Sequence, residues 1–427
     1  MAGALYQLSR CCGWVGDPRT TLLAKEALRV AESLGPSVEL LKALEYRAGD
    51  FSSDYADAET IAVAERALEL SAQLNVPVPI RVLHCRGIAR CDSGEESGLA
   101  DVRFSLDLAK EQGLGREVSD FSYNYAEQVC NYRGPREALD IVREGLNTAR
   151  RRANAAGIGY LTQAELLDLW LLGEWSVEEV REPELETLLR AQRNLVDIAL
   201  HMGTRALRAL AQGSEDLGSR ERDLVQAYKE ARLAGPYPEL DQFCATVLLA
   251  LAAASGDADG IARWLDVLDG SVAASGRGPM LSLYLPTPGR EAARARVVAA
   301  VGETPLKRIL ALGELLTPAR KSDRGAGASL RGVGAETRGV FETAETHYAD
   351  AARVWGEMEI PYERAHALLG QGRCLVALGR AQEAAAPLAE AREIFARLSA
   401  RPALAETEAV LARIGQPMAP RADGEDA

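Results

Sequence analysis

Side chains that could support catalysis are sparse and scattered in this 427-residue chain. A phosphate-binding loop of the G-x-x-x-x-G-K-[ST] type needs a lysine directly after a glycine, and none of the six lysines follows one. No G-x-S-x-G nucleophile elbow occurs, and no H-E-x-x-H zinc motif includes any of the histidines, which are His84, His201, His347 and His366. We therefore predict that the protein is not an enzyme and has no catalytic residue, no cofactor and no metal ligand.

Three short patterns resemble parts of known sites, and each has a simpler structural interpretation. Gly370-Gln371-Gly372 begins like a dinucleotide fingerprint but lacks the third glycine and a preceding strand, which favours close helix packing. Asp257-Ala258-Asp259-Gly260 begins like a calcium loop but lacks the acidic twelfth position, which favours a capped helix turn. His84, Cys85 and Cys91 share one predicted helix and would need further ligands to hold a metal, so we interpret His84 as a groove-lining or partly exposed residue.

The elements that would position any site are given by an internal repeat. The stretches EALRVAESLG, RALELSAQLN, FSLDLAKEQG and EGLNTARRRA place Leu28, Leu68, Leu106 and Leu146 about 40, 38 and 40 residues apart. A period of this length indicates stacked helical hairpins, because one hairpin cannot bury its own apolar face and must pack against a neighbour. The repeat returns near the C-terminus, where Ala349 and Ala389 stand in register. We therefore predict an all-α protein, one elongated right-handed α-solenoid with a period of about 40 residues.

Turn signals and composition divide this array. A glycine followed by a polar or turn residue separates the helices of each predicted hairpin, at Gly16, Gly94, Gly134, Gly173, Gly256 and Gly379. The predicted divisions are a regular array over 1–200, irregular helical repeats over 201–318, a flexible Gly/Arg/Ser-rich loop over 319–335, further repeats with a capping helix over 336–415, and a disordered tail over 416–427.

Charge and cysteine usage limit the classes of partner. The formal net charge of −13 disfavours direct nucleic-acid binding, which draws its affinity from a basic surface. No signal peptide or run of 18 apolar residues occurs, so we expect a cytoplasmic protein without membrane contact. The seven cysteines show no C-x-x-C pairs, and we interpret them as small core residues.

Both ends of the chain resemble known protein families. The hairpins are similar to tetratricopeptide (TPR) repeats in a long-helix variant. The segments ALYQLSRCCGWVGD, SGLADVRFSLDLAKEQGLGREVSDFSYNYAEQV and IPYERAHALLGQGRCLVALGRAQEAAAPLAEAREIFARLSARPALAETEAVLARIG resemble the C-terminal helical region of large bacterial signalling ATPases. Those proteins carry a class III adenylate or guanylate cyclase domain or, as LuxR-type regulators, a DNA-binding domain, and neither is found in this sequence.

The resemblance implies a sensory or regulatory arm that binds proteins. The first predicted helix begins within three residues of Met1 with no polar capping unit before it, whereas terminal repeats of solenoids usually have one. We therefore expect a protein partner, with an ATPase-type signalling domain at the N-terminal end as the candidate, or a small effector. Two alternatives remain: a fragment of a cyclase or LuxR-type regulator without its catalytic and DNA-binding domains, and a stand-alone peptide-binding adaptor.

Stacked first helices line the inner surface of such arrays, so their polar and aromatic residues are the predicted groove contacts. Arginine suits this role because its planar guanidinium pairs with carboxylates through two hydrogen bonds. For each candidate, packing between repeats or an exposed face is the alternative interpretation. The candidates are Tyr46, Arg47, His84, Arg86, Arg90, Tyr123, Asn124, Asn131 and Arg133.

Overall fold

The computed structural model consists of α-helices joined by short turns. It describes residues 2–14, 19–53, 55–233, 235, 237–275, 282–298 and 300–414, and within these ranges no β-strand occurs. Successive helices pair as antiparallel hairpins, and each hairpin packs on the next. The prediction of an all-α, repeat-built fold is confirmed.

The first six hairpins follow the predicted repeat. Their helices are α1 (Ala2–Trp14), α2 (Thr20–Glu32), α3 (Val38–Ser53), α4 (Asp57–Leu74), α5 (Ile80–Asp92), α6 (Gly98–Glu111), α7 (Gly115–Arg133), α8 (Pro135–Arg151), α9 (Ala155–Leu171), α10 (Trp175–Gln192), α11 (Leu195–Gln212) and α12 (Leu217–Arg232).

The remaining hairpins include one short 3₁₀ helix, Ser282–Tyr284. Their helices are α13 (Pro238–Ser255), α14 (Ala258–Ser275), α15 (Pro286–Val298), α16 (Glu303–Gly313), α17 (Lys321–Thr337), α18 (Phe341–Glu357), α19 (Pro361–Ala377), α20 (Ala381–Leu398) and the terminal α21 (Arg401–Ile414).

The prediction of a flexible loop over 319–335 is wrong, because most of this segment is the buried helix α17. Its glycines let large rings pack directly against the helix backbone. A Cβ atom on Gly325 would lie 2.8 Å from the indole of Trp355, and one on Gly332 would lie 2.7 Å from the ring of Tyr348. Small residues therefore signal close packing in this segment.

The buried side chains form two separate cores. A small cluster joins the first hairpins, from Val30 to Val82. A single continuous cluster runs from Cys91 in α5 to Val410 in α21. The C-terminal hairpins also pack against the middle of the array, because α17 contacts α7 and α21 contacts α11.

A seam joins these two parts of the chain, turn against turn. The turns inside four successive hairpins, marked by Gly94, Gly134, Gly173 and Gly213, have glycine at positive φ. The segments they contact are the connections between later hairpins. An ideal Cβ atom on Gly94 would meet Thr317 and Ala319, and one on Gly134 would meet Met358. One on Gly173 would meet Pro361 and Leu398, and one on Gly213 would meet Pro402.

Polar contacts reinforce the seam along its length. The Oγ of Ser322 donates a hydrogen bond of 3.0 Å to the Oδ1 of Asn131. The Nε of Arg136 donates one of 3.2 Å to Glu359, and the Nε of Arg401 donates one of 2.8 Å to the carbonyl oxygen of Gln212. The prediction of one elongated array is therefore wrong, because α17–α21 fold back against α7–α11.

Several smaller predictions can be compared with the structure. The predicted turn glycines from Gly94 onward all have positive φ, whereas Gly16 and the predicted tail over 416–427 lie outside the described residues. Five cysteines are buried, Cys85 is partly exposed and Cys11 is exposed. Within the described ranges, no helix combines the length and apolarity needed to cross a bilayer.

Candidate ligand-binding cavity

The inner face of the array forms a partly open cavity of about 620 Å³. Its walls come from alternate helices, α5, α7, α9, α11 and α13, and the 3₁₀ helix closes one side. A volume of this size is typical of sites for small organic ligands. Because each wall helix is the first of its hairpin, the repeat itself produces the concave surface.

The cavity wall combines rings, amides and carboxyl groups. The described residues with polar or aromatic side chains are Arg81, His84, Asp120, Phe121, Tyr123, Asn124, Glu127, Asn131, Tyr160, Gln163, Asp168, Asn194, Asp197, Tyr237, Glu239, Phe243 and Tyr284. Four of the nine predicted groove contacts are among them: His84, Tyr123, Asn124 and Asn131. The structure brings these four together on α5 and α7.

His84 is held as a neutral ring. The Nδ2 of Asn124 lies 2.9 Å from its Nε2, and its Nδ1 lies 3.2 Å from the Oγ of Ser105, which itself donates to the carbonyl oxygen of Val102. This chain of donors places the single ring proton on Nδ1. Burial, with a smaller contribution from Arg81, lowers the pKa of His84 to about 3. The ring also stacks on Phe121, so it acts as a fixed part of the wall.

Aromatic rings form two groups around the cavity. Tyr123 meets Tyr160 edge to face, with ring centroids 5.6 Å apart, and the hydroxyl of Tyr160 donates to Asp120 at 2.6 Å. On the other side, Phe243 meets Tyr284 edge to face at 5.1 Å. Burial raises the pKa values of Tyr123 and Tyr160 above the ordinary phenol value, so both rings are neutral hydrogen-bond donors.

Two buried aspartates face the cavity in different settings. Asp197 lies in the first turn of α11, where its carboxyl accepts from the side chain of Asn194 and its backbone N–H donates to the Asn194 Oδ1. Burial raises the pKa of Asp197 to about 6. Asp168 lies on α9, and neither a hydrogen bond nor an ion pair connects its carboxyl group with any described residue. Burial, and after it the charge of Glu165, raises the pKa of Asp168 well above the ordinary value.

A smaller hollow of about 320 Å³ adjoins the cavity. The two share a rim formed by Tyr123, Asn124, Glu127, Asn131, Tyr237 and Glu239. The hollow continues past α3 toward Arg320, which pairs with Asp323 at 2.8 Å. Together they form one continuous groove, with the larger and more apolar space at its inner end.

The other five predicted contacts lie away from the cavity. Arg86 and Arg90 both pair with Asp101 on α6, at 2.8 and 3.1 Å, and so join the two helices of one hairpin. Arg47 is buried, pairs with Asp50 at 2.8 Å and lies over the ring of Phe51. Two contacts remain: Tyr46 stacks edge to face on Tyr6, and Arg133 pairs with Glu137 at the end of α7.

Residues absent from the predicted set carry much of the polarity of the wall. Gln163 and Asp168 stand in the run LTQAELLDLWLLGEW, and Asp197 follows the helix-capping residue Asn194. A helix that is apolar all round is buried on every side, so its few polar residues must face either a partner or a cavity. That signal could have identified Gln163 and Asp168. Within the described part of the chain, no group of three His, Cys, Asp or Glu side chains could hold a metal ion.

Comparison with known proteins assigns this chain to no family. No protein-family model matches the sequence, and no curated protein matches it. Among solved structures, it is similar to Naa15/Naa10 bound to HypK-THB, at 13% identity and a TM-score of 0.27, over 97% of this chain and 68% of that one. It is also similar to a circular tandem repeat protein, at 13% identity and a TM-score of 0.19, over 97% and 94% of the two chains. Scores this low carry no functional argument. The class, a helical-repeat protein, rests on the hairpins themselves.

Proposed function

We propose that this protein is a non-catalytic helical-repeat scaffold that binds a ligand in its inner cavity and a protein partner on its surface. In this proposal it is the sensory arm of a bacterial ATPase-type signalling system. The observation that carries the binding function is the cavity of about 620 Å³ formed by five successive first helices. The resemblance of the N- and C-terminal segments to signalling ATPases supports the assignment to such a system.

The seam offers a physical route from the cavity to the C-terminal hairpins. Asn131 lines the cavity and accepts the hydrogen bond of Ser322, so a ligand that moves α7 also moves α17. Both residues are buried, which makes a change in their contact energetically significant. A relay of this kind needs two packed arrangements whose balance the ligand shifts.

The first hairpins offer the partner surface. Leu8 on α1 and Leu22 on α2 are 49% and 68% exposed, and both are large apolar side chains. We propose these two side chains as contacts of the partner. Their exposure supports a partner at the N-terminal end, with an ATPase-type signalling domain as the candidate.

Capture of ATPase-type proteins from the source cell tests the partner assignment. The full chain and a Leu8→Asp/Leu22→Asp variant are compared, with Leu233→Asp as the matched control, because Leu233 is also exposed but lies at the end of α12. We expect the full chain and the control to retain the partner and the double variant to lose it. Equal capture by all three proteins, or no ATPase-type protein in any of them, contradicts the proposal.

The groove favours one alternative, a stand-alone peptide-binding adaptor. The cavity and the adjoining hollow share a rim of six residues, and in this alternative an extended chain segment would occupy both spaces. The alternative predicts measurable affinity for extended peptides, with no dependence on the leucines of α1 and α2. Fluorescence anisotropy with a random peptide library distinguishes the two functions.

A further inference from the structure

The ionisable side chains that face the cavity are almost all acidic, although burial raises the pKa of Asp168 and of Asp197 and so favours their neutral forms until a cation binds. Five carboxyl groups line the cavity, those of Asp120, Glu127, Asp168, Asp197 and Glu239. Among the described lining residues, the only permanently cationic side chain is Arg81. It is 52% exposed and pairs with Glu117 outside the cavity at 3.4 Å. The interior is therefore set up to attract positive charge and to repel anions.

Two buried polar groups lack a partner where they meet this space. Asp168 is 6% exposed, and its carboxyl group forms no hydrogen bond or ion pair with a described residue. Gln163 lies five residues earlier on the same helix, is 3% exposed, and its Oε1 accepts no hydrogen bond. A buried oxygen without a donor is unfavourable, and a ligand that supplies N–H groups removes that penalty.

The aromatic side chains supply the second half of a cation site. Tyr123 and Tyr237 lie on the rim shared by the cavity and the hollow. The charges of Glu127, Asp197 and Glu239 act on both of these tyrosines, so the carboxyl groups surround the same pair of rings. Ring faces attract cations, and the apolar surfaces of Phe243 and Tyr284 would cover the uncharged part of a ligand.

We infer that the cavity binds an organic cation, an ammonium group carried on an apolar or aromatic body. The ammonium group donates to the carboxyl groups and to the Oε1 of Gln163, and the body packs against the aromatic wall. This inference rests on the proposed function and narrows its ligand to one chemical class. The same chemistry can come from a free amine or from a lysine side chain of a bound peptide, and the experiment separates these sources.

Three probes with one indole body and different charges test the inference by isothermal titration calorimetry. Tryptamine carries an ammonium group, tryptophol a hydroxyl group and indole-3-acetate a carboxylate. A second arm compares the peptide acetyl-Gly-Tyr-Lys-Gly-amide with its norleucine counterpart. We expect the cationic member of at least one arm to bind roughly 30-fold or more tightly than its neutral counterpart, because the neutral probe leaves buried carboxyl groups without a charged partner. The arm that responds identifies the source.

Variants then localise the charge preference. Asp168→Asn and Asp197→Asn keep the shape of the side chain, and each should remove most of the preference for the cation. Asp140→Asn is the matched control, because Asp140 is exposed on α8 and does not line the cavity. Thermal melts of all variants show whether the fold is retained. If Asp168→Asn fails to fold, Asp197→Asn tests the charge preference in its place.

Three outcomes overturn the inference: equal affinity within each set of probes, a preference for the carboxylate, or no binding of either cation at about 1 mM. The proposed function fails by a different observation, the loss of ATPase capture described above. A neutral or anionic probe that binds as tightly as the cation, or more tightly, leaves the scaffold function intact and refutes only the cationic ligand.

Discussion

The hydroxyl of Ser322 on α17 donates a hydrogen bond of 3.0 Å to the carboxamide oxygen of Asn131 on α7, 191 residues earlier in the chain. Both side chains are buried, and Asn131 also lines the cavity. One contact thus joins the ligand-facing wall to the C-terminal hairpins. A polar pair this far apart in sequence forms only when the seam has closed, which makes it a reporter of that closure.

A double-mutant cycle on this pair should show coupling. Asn131→Leu removes the nearer acceptor of the Ser322 hydroxyl and leaves only the Oδ1 of Asp323 at 3.4 Å, so we expect the free energy of unfolding to fall by about 1 kcal/mol. Ser322→Ala introduced into the Asn131→Leu variant should then cost less than it does in the wild type. Urea denaturation measures all four proteins, and strictly additive effects would contradict a direct interaction.

Gly134→Ala should destabilise the protein more than Gly379→Ala does. Both glycines have positive φ, at 114° and 75°, and backbone strain adds to the loss at Gly134 because essentially only glycine adopts its combination of φ 114° and ψ 167°. Only at Gly134 would the new methyl group meet the seam, 2.6 Å from the carbonyl oxygen of Met358, whereas Gly379 has open space around it. Overpacking adds about 1–3 kcal/mol, measured as the difference in unfolding free energy. Equal losses would show that the two parts of the chain do not touch at this turn.

Alanine in place of a packed glycine of helix α17 should also destabilise the protein, although alanine has a higher helix propensity than glycine. Gly332→Ala would place a Cβ atom 2.7 Å from the ring of Tyr348, and we expect a loss of about 1–3 kcal/mol. The control is Gly270→Ala on α14, where nothing lies within 4 Å and a gain of about 0.5–1 kcal/mol is expected. Thermal melts compare the two. If Gly332→Ala raises the melting temperature, α17 is not packed against α18 as described.

The stability of the protein should depend on pH through Asp197. Burial raises its pKa from 3.8 to about 6, so the folded state holds this proton more tightly than the unfolded chain does. The contribution of Asp197 is therefore fully favourable below about pH 3.8. This contribution falls as the pH rises from about 3.8 to about 6, and it stays constant at higher pH. The total loss of unfolding free energy is roughly 3 kcal/mol. The groups around it are Asn194, Tyr123, Tyr237, Glu127 and Glu239.

Asp197→Asn removes this titration. Relative to the wild type, the variant should gain unfolding free energy between pH 4 and pH 7, by an amount approaching that loss. Denaturation at the two pH values measures the difference, and Asp140→Asn shows what an exposed aspartate contributes. A difference that stays constant with pH would mean that Asp197 is solvated in the folded protein.

The repeat made the hairpins predictable, because buried positions such as Leu106 and Leu146 recur at the period of one unit. The seam was not predictable in this way. It depends on the small rotation of each hairpin relative to the one before, which adds up along the array until Gly134 meets Met358. No local sequence pattern encodes that rotation. The prediction for segment 319–335 fails because a run of glycines is typical of loops, whereas these glycines make room for the bulky rings of Tyr348 and Trp355 on the next helix.

The candidate site was predictable to the extent that it follows from hairpin geometry. His84 and Asn124 were found because first helices line the concave face. Arg86 lies on the same helix as His84, but Arg86 pairs with Asp101 on the adjacent helix and so does not face the cavity. The repeat period does not specify which arginine finds such a partner. Asp168 was missed because a single carboxylate within an apolar run looks like an ordinary helical position until burial on all sides is known.

The interlocked turns restrict how the length of this protein can change. In an open array, a hairpin can be duplicated or lost with little effect beyond its immediate neighbours. Here both sides of the seam repeat with the same step of about 40 residues, and each turn on one side contacts a connection on the other. The turns are those around Gly94, Gly134, Gly173 and Gly213, and the connections are those at Thr317, Met358 and Leu398. An insertion or deletion of one hairpin on either side would displace every later contact across the seam. Such changes should therefore be tolerated only when both sides gain or lose a hairpin together.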